Sequence, residues 1–156
     1  MIIRTFLFIL VIVCNNNYLF SSINNIEKLP ISSKELIKTV FPKVEIKDIT
    51  VYKRTYKVEL NNDIIFHFNR DGELKEINGL EIEPIPYNSI PKKAYRTLLN
   101  EVKNPRIIYI AKKKDFFHIK TYDKFQLYDI VVKDDGELIK KEKIVEDNLY
   151  YDKRKK

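Results

Sequence analysis

The tetrapeptide Asp71-Gly72-Glu73-Leu74 occurs a second time in this chain of 156 residues, as Asp135-Gly136-Glu137-Leu138. The copies start 64 residues apart and contain two of the chain's three glycines. Each copy follows an apolar, strand-like run, and an Asp-Gly pair suits a turn because glycine tolerates its backbone and the Asp side chain stabilises it. The spacing predicts a tandem repeat whose unit is a helix followed by a meander of strands.

The first unit, residues 22–80, begins with a helix signal and continues with strand-like runs. Ser32 or Ser33 can cap the helix, and Pro42 ends it because the residue before a proline avoids helical geometry. A switch in the apolar alternation near Asp48 predicts a β-bulge in the first strand. We predict strands at residues 44–52, 55–60, 64–69 and 74–77, each with an apolar and a mostly polar face.

The second unit, residues 91–143, repeats this order after a proline-punctuated connector at residues 81–90. Its helix has an apolar stripe that includes Ala94 and Leu98, and it is expected to be longer than the first. We predict strands at residues 106–111, 116–122, 125–133 and 137–140. The predicted fold is α+β: two tandem units of a helix and an antiparallel meander, with the helices on one face of the sheet.

Residues 1–21 have the anatomy of a signal peptide. Arg4 precedes an unbroken apolar run at residues 6–13, and serines 21 and 22 are small residues suited to cleavage. The apolar run is short for a membrane span, and an uncleaved anchor is the alternative. We therefore expect a periplasmic or secreted protein.

Cys14 is the only cysteine and ends the apolar run. It could carry the lipid of a lipoprotein, although Val13 stands where a small residue is expected. If the signal is removed, the remaining chain has no cysteine, and stability must come from the core without a disulfide.

The net charge of the chain is +7, or +6 once Arg4 is removed with the signal. Part of the excess lies in the tail at residues 153–156, within a C-terminal segment at 144–156, and the rest is dispersed among acidic residues. Dispersed charge is typical of a solvated surface, and an exported protein rarely meets nucleic acid. We expect no nucleic-acid partner.

Over residues 29–142 the chain resembles the exported beta-lactamase-inhibitor-like, PepSY-like proteins. The resemblance lies in these motifs: Leu29-Pro30, Phe41-Pro42, the runs at 44–49, 56–60 and 68–74, and, in the second unit, Ile90-Pro91, Asn104-Pro105 and 135–138. It implies a twice-repeated antiparallel sheet with helices on one face, periplasmic or extracellular placement, and a non-enzymatic, inhibitor-like binding role. The motifs are helix stops and turns, so they imply fold better than function, and they carry no catalytic residue.

The residues themselves indicate no catalytic or cofactor chemistry. His67 and His118 lie in different hairpins without the further ligands that a metal site requires, and we interpret them as structural or surface residues. Three glycines at 72, 79 and 136 cannot form a phosphate-binding loop. We predict a protein that is not an enzyme and that needs no cofactor and no metal.

One face of the second unit carries an unusual number of apolar residues. Both parities of its strands are apolar, whereas the equivalent face of the first unit is mostly polar. An exposed aromatic sheet face is typical of a binding surface. The predicted binding residues are Phe116, His118, Tyr122, Phe125, Leu127 and Val131. Two alternatives stay open, that residues 144–150 cover this face or that a homodimer buries it.

The leading hypothesis is therefore an exported, non-enzymatic, inhibitor-like module that holds a protein or peptide on its open sheet face. The alternative is an envelope surface protein that binds anionic lipid or polymer through its basic tail. Membrane contact is expected only if the signal is uncleaved or Cys14 is lipidated.

Overall fold

The computed structural model describes residues 26–80 and 83–145, which form an α+β fold. A single antiparallel sheet has eight strands whose spatial order follows the chain from β1 to β8, so that β1 and β8 are its edges. The elements are α1 (Ile31–Val40), β1 (Ile46–Val51), β2 (Thr55–Leu60), β3 (Ile65–Asn69), β4 (Leu74–Asn78), a 3₁₀ helix (Tyr87–Ser89), α2 (Lys92–Glu101), β5 (Arg106–Lys112), β6 (Phe116–Asp123), β7 (Gln126–Lys133) and β8 (Leu138–Ile144).

The core lies between the two α-helices and one face of this sheet. Cross-strand pairing aligns a row of fully buried residues over six strands: Val58, Phe66, Ile77, Ile110, Ile119 and Ile130. Ile37 and Val40 of α1 and Ala94 and Leu98 of α2 belong to the same buried cluster. Alternation with period two places these apolar residues on one side, and the helices cover that side together.

Each Asp-Gly turn is held by a hydroxyl group from a helix. The Ser33 Oγ donates to the Gly72 carbonyl at 3.1 Å, and the Thr97 Oγ1 donates to the Gly136 carbonyl at 2.5 Å. The expectation that Ser32 or Ser33 caps α1 is wrong, because α1 begins after Pro30 without a side-chain cap. The hydroxyl of Ser33 bonds the turn because that residue lies inside the helix and is fully buried.

Several predicted boundaries also need correction. Both α-helices have ten residues, so the second is not longer. The β2–β3 connection needs four residues, 61–64, because Asp63 takes a left-handed φ of 62°. The predicted bulge is confirmed, since the β1–β2 register shifts between Ile46 and Asp48.

The connector runs beside β5, where it is described from residue 83 onward. The Ile85 N–H donates to the Ile107 carbonyl at 2.7 Å, and the Ile85 side chain is buried. β4 pairs directly with β5, so the two halves of the chain share one sheet.

The signal peptide, Cys14 and the basic tail lie outside the described residues. Neither α1 nor α2 is long enough to cross a membrane.

Candidate binding face

The sheet face opposite the helices, called the open face below, has two rows of half-buried and exposed side chains across its centre. These rows alternate with the core row because successive residues in a strand point to opposite faces. The first row is Lys57, His67, Glu76, Ala111, His118, Val131 and Lys140, and the second is Glu59, Ile65, Asn78, Tyr109, Lys120, Asp129 and Glu142. Of these residues only Ala111 is buried.

The structure brings five of the six predicted binding residues onto the open face. Their register positions are Phe116 opposite Lys133, His118 opposite Val131, and Tyr122 opposite Leu127. Phe116, His118, Tyr122 and Val131 are half-buried, so each retains surface for a partner. Leu127 is only 3% exposed and pairs with Ile144 of β8 on its other side. Leu127 therefore offers a partner almost no surface.

Phe125 is not part of a strand face. β7 begins at Gln126, and Phe125 lies in the tight turn after β6 with 94% of its surface exposed. The sequence placed it in the strand because its apolar side chain continues the alternation of β7. Asp123 pairs with Gln126, which leaves Lys124 and Phe125 as the turn, with Lys124 at a φ of 52°.

An ion-paired group occupies the middle of the open face on β6, β7 and β8. The His118 Nε2 contacts the Asp129 carboxylate, and the Lys140 Nζ lies 4.0 Å from the same carboxylate. Lys140 also pairs with Glu142 at 2.9 Å, and the hydrogen bond that Lys140 donates to that carboxylate raises the pKa of Lys140. The contact of His118 with Asp129 could not be predicted from the sequence, because it depends on the β6–β7 register.

Tyr109 extends this group toward the first half of the sheet. Its ring lies nearly perpendicular to the His118 ring with centroids 6.1 Å apart, and the Lys120 Nζ lies 5.5 Å from its centroid. Burial raises the pKa of Tyr109, and the charge and hydrogen bond of Glu76 raise it further. Tyr109 is not among the predicted binding residues, although its parity within the strand at 106–111 indicates this face.

A cleft of about 870 Å³ borders the open face where β4 and β5 separate. The two strands pair at three positions only, from Glu76 to Asn78 on β4. Tyr109 lines the cleft together with several lysines, among them the exposed Lys113 and Lys114. Side chains of both charges therefore lie beside the aromatic part of the open face, since Glu73 and Glu76 line the cleft as well.

The site offers contact surface and charge. Within residues 26–80 and 83–145, no group of three His, Cys, Asp or Glu side chains is placed to hold a metal ion.

The fold is similar to solved structures of Bacteroides proteins. A protein from Bacteroides thetaiotaomicron, provisionally named periplasmic and calcium-regulated, matches with a TM-score of 0.63 and 15% identity over 74% of this chain and 91% of its own. A provisionally periplasmic member of the DUF2874 family from Bacteroides vulgatus matches with a TM-score of 0.62 and 18% identity over 74% and 91%. A provisionally periplasmic protein of unknown function, also from Bacteroides vulgatus, matches with a TM-score of 0.61 and 20% identity over 75% of this chain and 94% of its own.

No protein-family model matches this chain, and no curated protein is similar to it in sequence. At these identities, the similar structures establish the fold. The periplasmic or secreted location expected from residues 1–21 agrees with the names of all three proteins.

Proposed function

We propose that the chain is an exported, non-enzymatic binding module that holds a protein or peptide on its open face. One observation carries this proposal: α1 and α2 pack on the other face, while Phe116, Tyr122 and Val131 remain partly accessible on β6 and β7. Binding surfaces combine aromatic side chains with charge on a rigid frame, and central strands provide such a frame.

The charges of the open face indicate the chemistry of the partner. Asp129 is engaged by His118 and Lys140, whereas Lys120 has no carboxylate partner among the described residues. Lys120 is therefore available for a carboxylate of the partner. We infer a protein segment that presents an apolar side chain beside an acidic one.

The tandem repeat is part of the same proposal. In both halves, a helix hydroxyl reaches a glycine carbonyl 39 residues later in the chain. The Gly72 N–H donates to the Asn69 carbonyl, as the Gly136 N–H does to the Lys133 carbonyl. Equivalent contacts at equivalent positions support two copies of one unit, of which the second has acquired the aromatic face. The resemblance to beta-lactamase-inhibitor-like, PepSY-like proteins stays a prediction from the sequence motifs.

The test compares three forms of the purified chain. Phe116→Thr combined with Val131→Thr removes apolar surface from the open face, and threonine at both positions retains a high strand propensity. Phe125→Thr makes a similar change in the exposed turn and serves as the matched control. Leu127 is unsuitable for this purpose, because a polar residue at a buried site would reduce stability.

We expect the wild type and Phe125→Thr to retain the same dominant protein from an envelope extract at moderate salt. The Phe116→Thr/Val131→Thr variant should lose it while melting at a similar temperature. Hydrogen exchange of the isolated complex between the wild-type chain and this protein should then be slower in β6 and β7 than in the free chain. Unchanged retention by the double variant would refute the proposal, and retention lost by Phe125→Thr alone would move the site to the turn.

A homodimer would bury the same residues. Sedimentation gives the molecular mass of the wild type and the double variant in solution. If a homodimer buries these residues, the wild type should have the mass of a dimer and the double variant that of a monomer.

The alternative function is charge-driven binding of anionic lipid or polymer by residues 153–156. Deletion of these four residues should then weaken binding to anionic vesicles, and binding should fall steeply as salt rises. Binding that is independent of salt would contradict this alternative.

A further inference from the structure

A second concave surface lies beside α2, where the connector meets the helix. It is a groove of about 280 Å³ between the 3₁₀ helix and α2, and its lining is mostly apolar. The lining residues are Tyr87, Asn88, Ile90, Lys92, Tyr95 and Arg96. None of them belongs to the open face or to the sheet.

Two tyrosine rings form a stacked pair in this groove. The rings of Tyr87 and Tyr95 have centroids 5.1 Å apart and planes inclined by 23°. Tyr95 packs against the buried core, whereas Tyr87 is 64% exposed. The inner ring is therefore fixed by the fold, and the outer ring extends the aromatic surface into solvent.

The segment that carries Tyr87 is held by one hydrogen bond to α1 and one within the segment itself. The Asn88 Nδ2 donates to the Thr39 carbonyl of α1 at 3.1 Å, and the Ser89 Oγ donates to the Pro86 carbonyl at 2.7 Å. A surface that is held in place before a ligand arrives loses less entropy on binding.

Two cations flank the rings without an acidic partner. Lys92 and Arg96 are four residues apart and therefore lie on one side of α2. Both are exposed, and neither forms an ion pair with a described carboxylate. Among the residues that the structure describes, no acidic side chain lines the groove or lies in the first turn of α2. The groove is thus electropositive beside an aromatic surface.

We propose that this groove binds a small ligand in which a carboxylate is attached to a flat six-membered ring. The ring would stack on the tyrosine pair, as aromatic rings do on aromatic side chains. The carboxylate would be bound by the forked guanidinium of Arg96, with Lys92 adding a second charge. The proposed ligand is therefore an aromatic acid, and a sugar acid, whose ring is puckered, is the alternative that the experiment excludes.

The test titrates the full chain with benzoate, glucuronate and the neutral benzyl alcohol, and follows the ring resonances of Tyr87 and Tyr95 by NMR. Binding by small ligands is weak, so concentrations extend to roughly 10 mM, about ten times a Kd of ~1 mM. We expect benzoate to shift the resonances of both rings, and we expect glucuronate and benzyl alcohol to bind at least about tenfold more weakly, since ~1.4 kcal/mol corresponds to a factor of ten.

Two variants and two matched controls connect the signal to the groove. Arg96→Gln and Tyr87→Ala should each weaken binding about tenfold, an effect typical of losing a charged hydrogen bond or a stacked ring. Lys93→Gln removes the same charge from a neighbouring position outside the groove, and Tyr52→Ala removes an exposed tyrosine elsewhere; both should bind as the wild type does.

The outcomes decide the proposal. A preference for benzoate over both glucuronate and benzyl alcohol supports the proposal. The proposal is overturned if benzoate does not shift the two rings, if glucuronate shifts them as effectively as benzoate does, or if Lys93→Gln weakens binding as much as Arg96→Gln does. Melting curves of all variants confirm that they fold. Substitutions on the open face leave this assay unchanged, so the two proposals succeed or fail separately.

Discussion

Gly72 and Gly136 occupy equivalent turns but differ in how closely the neighbouring chain approaches. Both have a left-handed backbone, with φ of +85° and +96°. A Cβ at Gly72 would lie 2.4 Å from the Ser32 Oγ and 2.6 Å from the Pro30 Cβ, whereas at Gly136 the nearest atom would be the Lys93 carbonyl oxygen at 3.0 Å. The left-handed backbone alone costs a non-glycine residue about 1–2 kcal/mol.

We therefore expect Gly72→Ala to lower the free energy of unfolding more than Gly136→Ala does, because the new Cβ would overlap its neighbours more deeply at Gly72 than at Gly136. Urea unfolding of the two variants measures the difference. Equal losses in the free energy of unfolding would show that the left-handed backbone is the main cost at both positions. The start of α1 would then move away from the turn without cost.

The buried hydroxyl of Ser33 should contribute measurably to stability. Ser33→Ala removes its hydrogen bond to the Gly72 carbonyl, and the expected loss is about 1 kcal/mol. Ser32 is the matched control, since its Oγ is 3.5 Å from the same oxygen in a less buried position. Thermal or urea unfolding checks this, and a larger loss in Ser32→Ala would contradict the assignment.

Tyr109 should titrate above the ordinary tyrosine pKa of 10.0, chiefly because it is partly buried. Glu76→Gln removes a negative charge that disfavours the phenolate, so it should lower the pKa of Tyr109. The value should nevertheless stay above 10.0, because burial is the larger cause. An ultraviolet pH titration of each form, with the matching Tyr109→Phe curve subtracted, measures this shift. An unchanged pKa in Glu76→Gln would show that the carboxylate is not in contact.

At the scale of elements, the bulge in β1 creates an ion pair with β2. Lys47 lies at the register shift, with its Nζ 2.7 Å from Glu59 and 3.3 Å from Asp63. The hydrogen bond from Lys47 lowers the pKa of Glu59 below its usual 4.5. A carboxylate with a lowered pKa adds stability above its unfolded-state pKa, and the gain disappears as pH falls through the folded-state value.

We expect Lys47→Gln to cause a small decrease in Tm near neutral pH, since exposed ion pairs contribute little. The difference in Tm between this variant and the wild type should become smaller as pH falls below 4.5. It should disappear at lower pH, where Glu59 is protonated in both the folded and the unfolded state. Lys53→Gln is the control, because it removes an exposed lysine nearby. A gap that persists in acid would show that Lys47 stabilises β1 through its aliphatic stem instead.

At the scale of the whole molecule, the two halves share one core. Phe66 from the first half and Ile119 from the second are fully buried members of the same row across the sheet. Phe66→Ala should cost about 3–5 kcal/mol and Ile119→Ala about 2–5 kcal/mol, because each leaves a cavity.

Because the core is continuous, both substitutions should lower the temperature of a single cooperative transition. Scanning calorimetry of the wild type and both variants provides the test. Two separate transitions, each sensitive to only one of the substitutions, would show that the halves fold as independent domains.

Local pattern alone was sufficient for much of the architecture. Period-two alternation predicted β2 at residues 55–60 as observed, and the change in parity near Asp48 predicted the bulge. Pro42 and the Asp-Gly pairs predicted where α1 ends and where two turns occur. These features depend on neighbouring residues in the chain, because proline and glycine restrict or release the backbone locally.

The site depended on information that the pattern does not contain. Parity placed Phe116, His118 and Val131 on one face, but the same apolar signal included Phe125, which lies in a turn, and Leu127, which is buried. The sequence by itself determined the elements and the face that each strand residue points to, because both follow from local geometry. Only the tertiary structure decided which residues meet across strands and how much of each stays exposed. The contact of His118 with Asp129 and the stacking of Tyr87 on Tyr95 arise from strand register and from packing around one core.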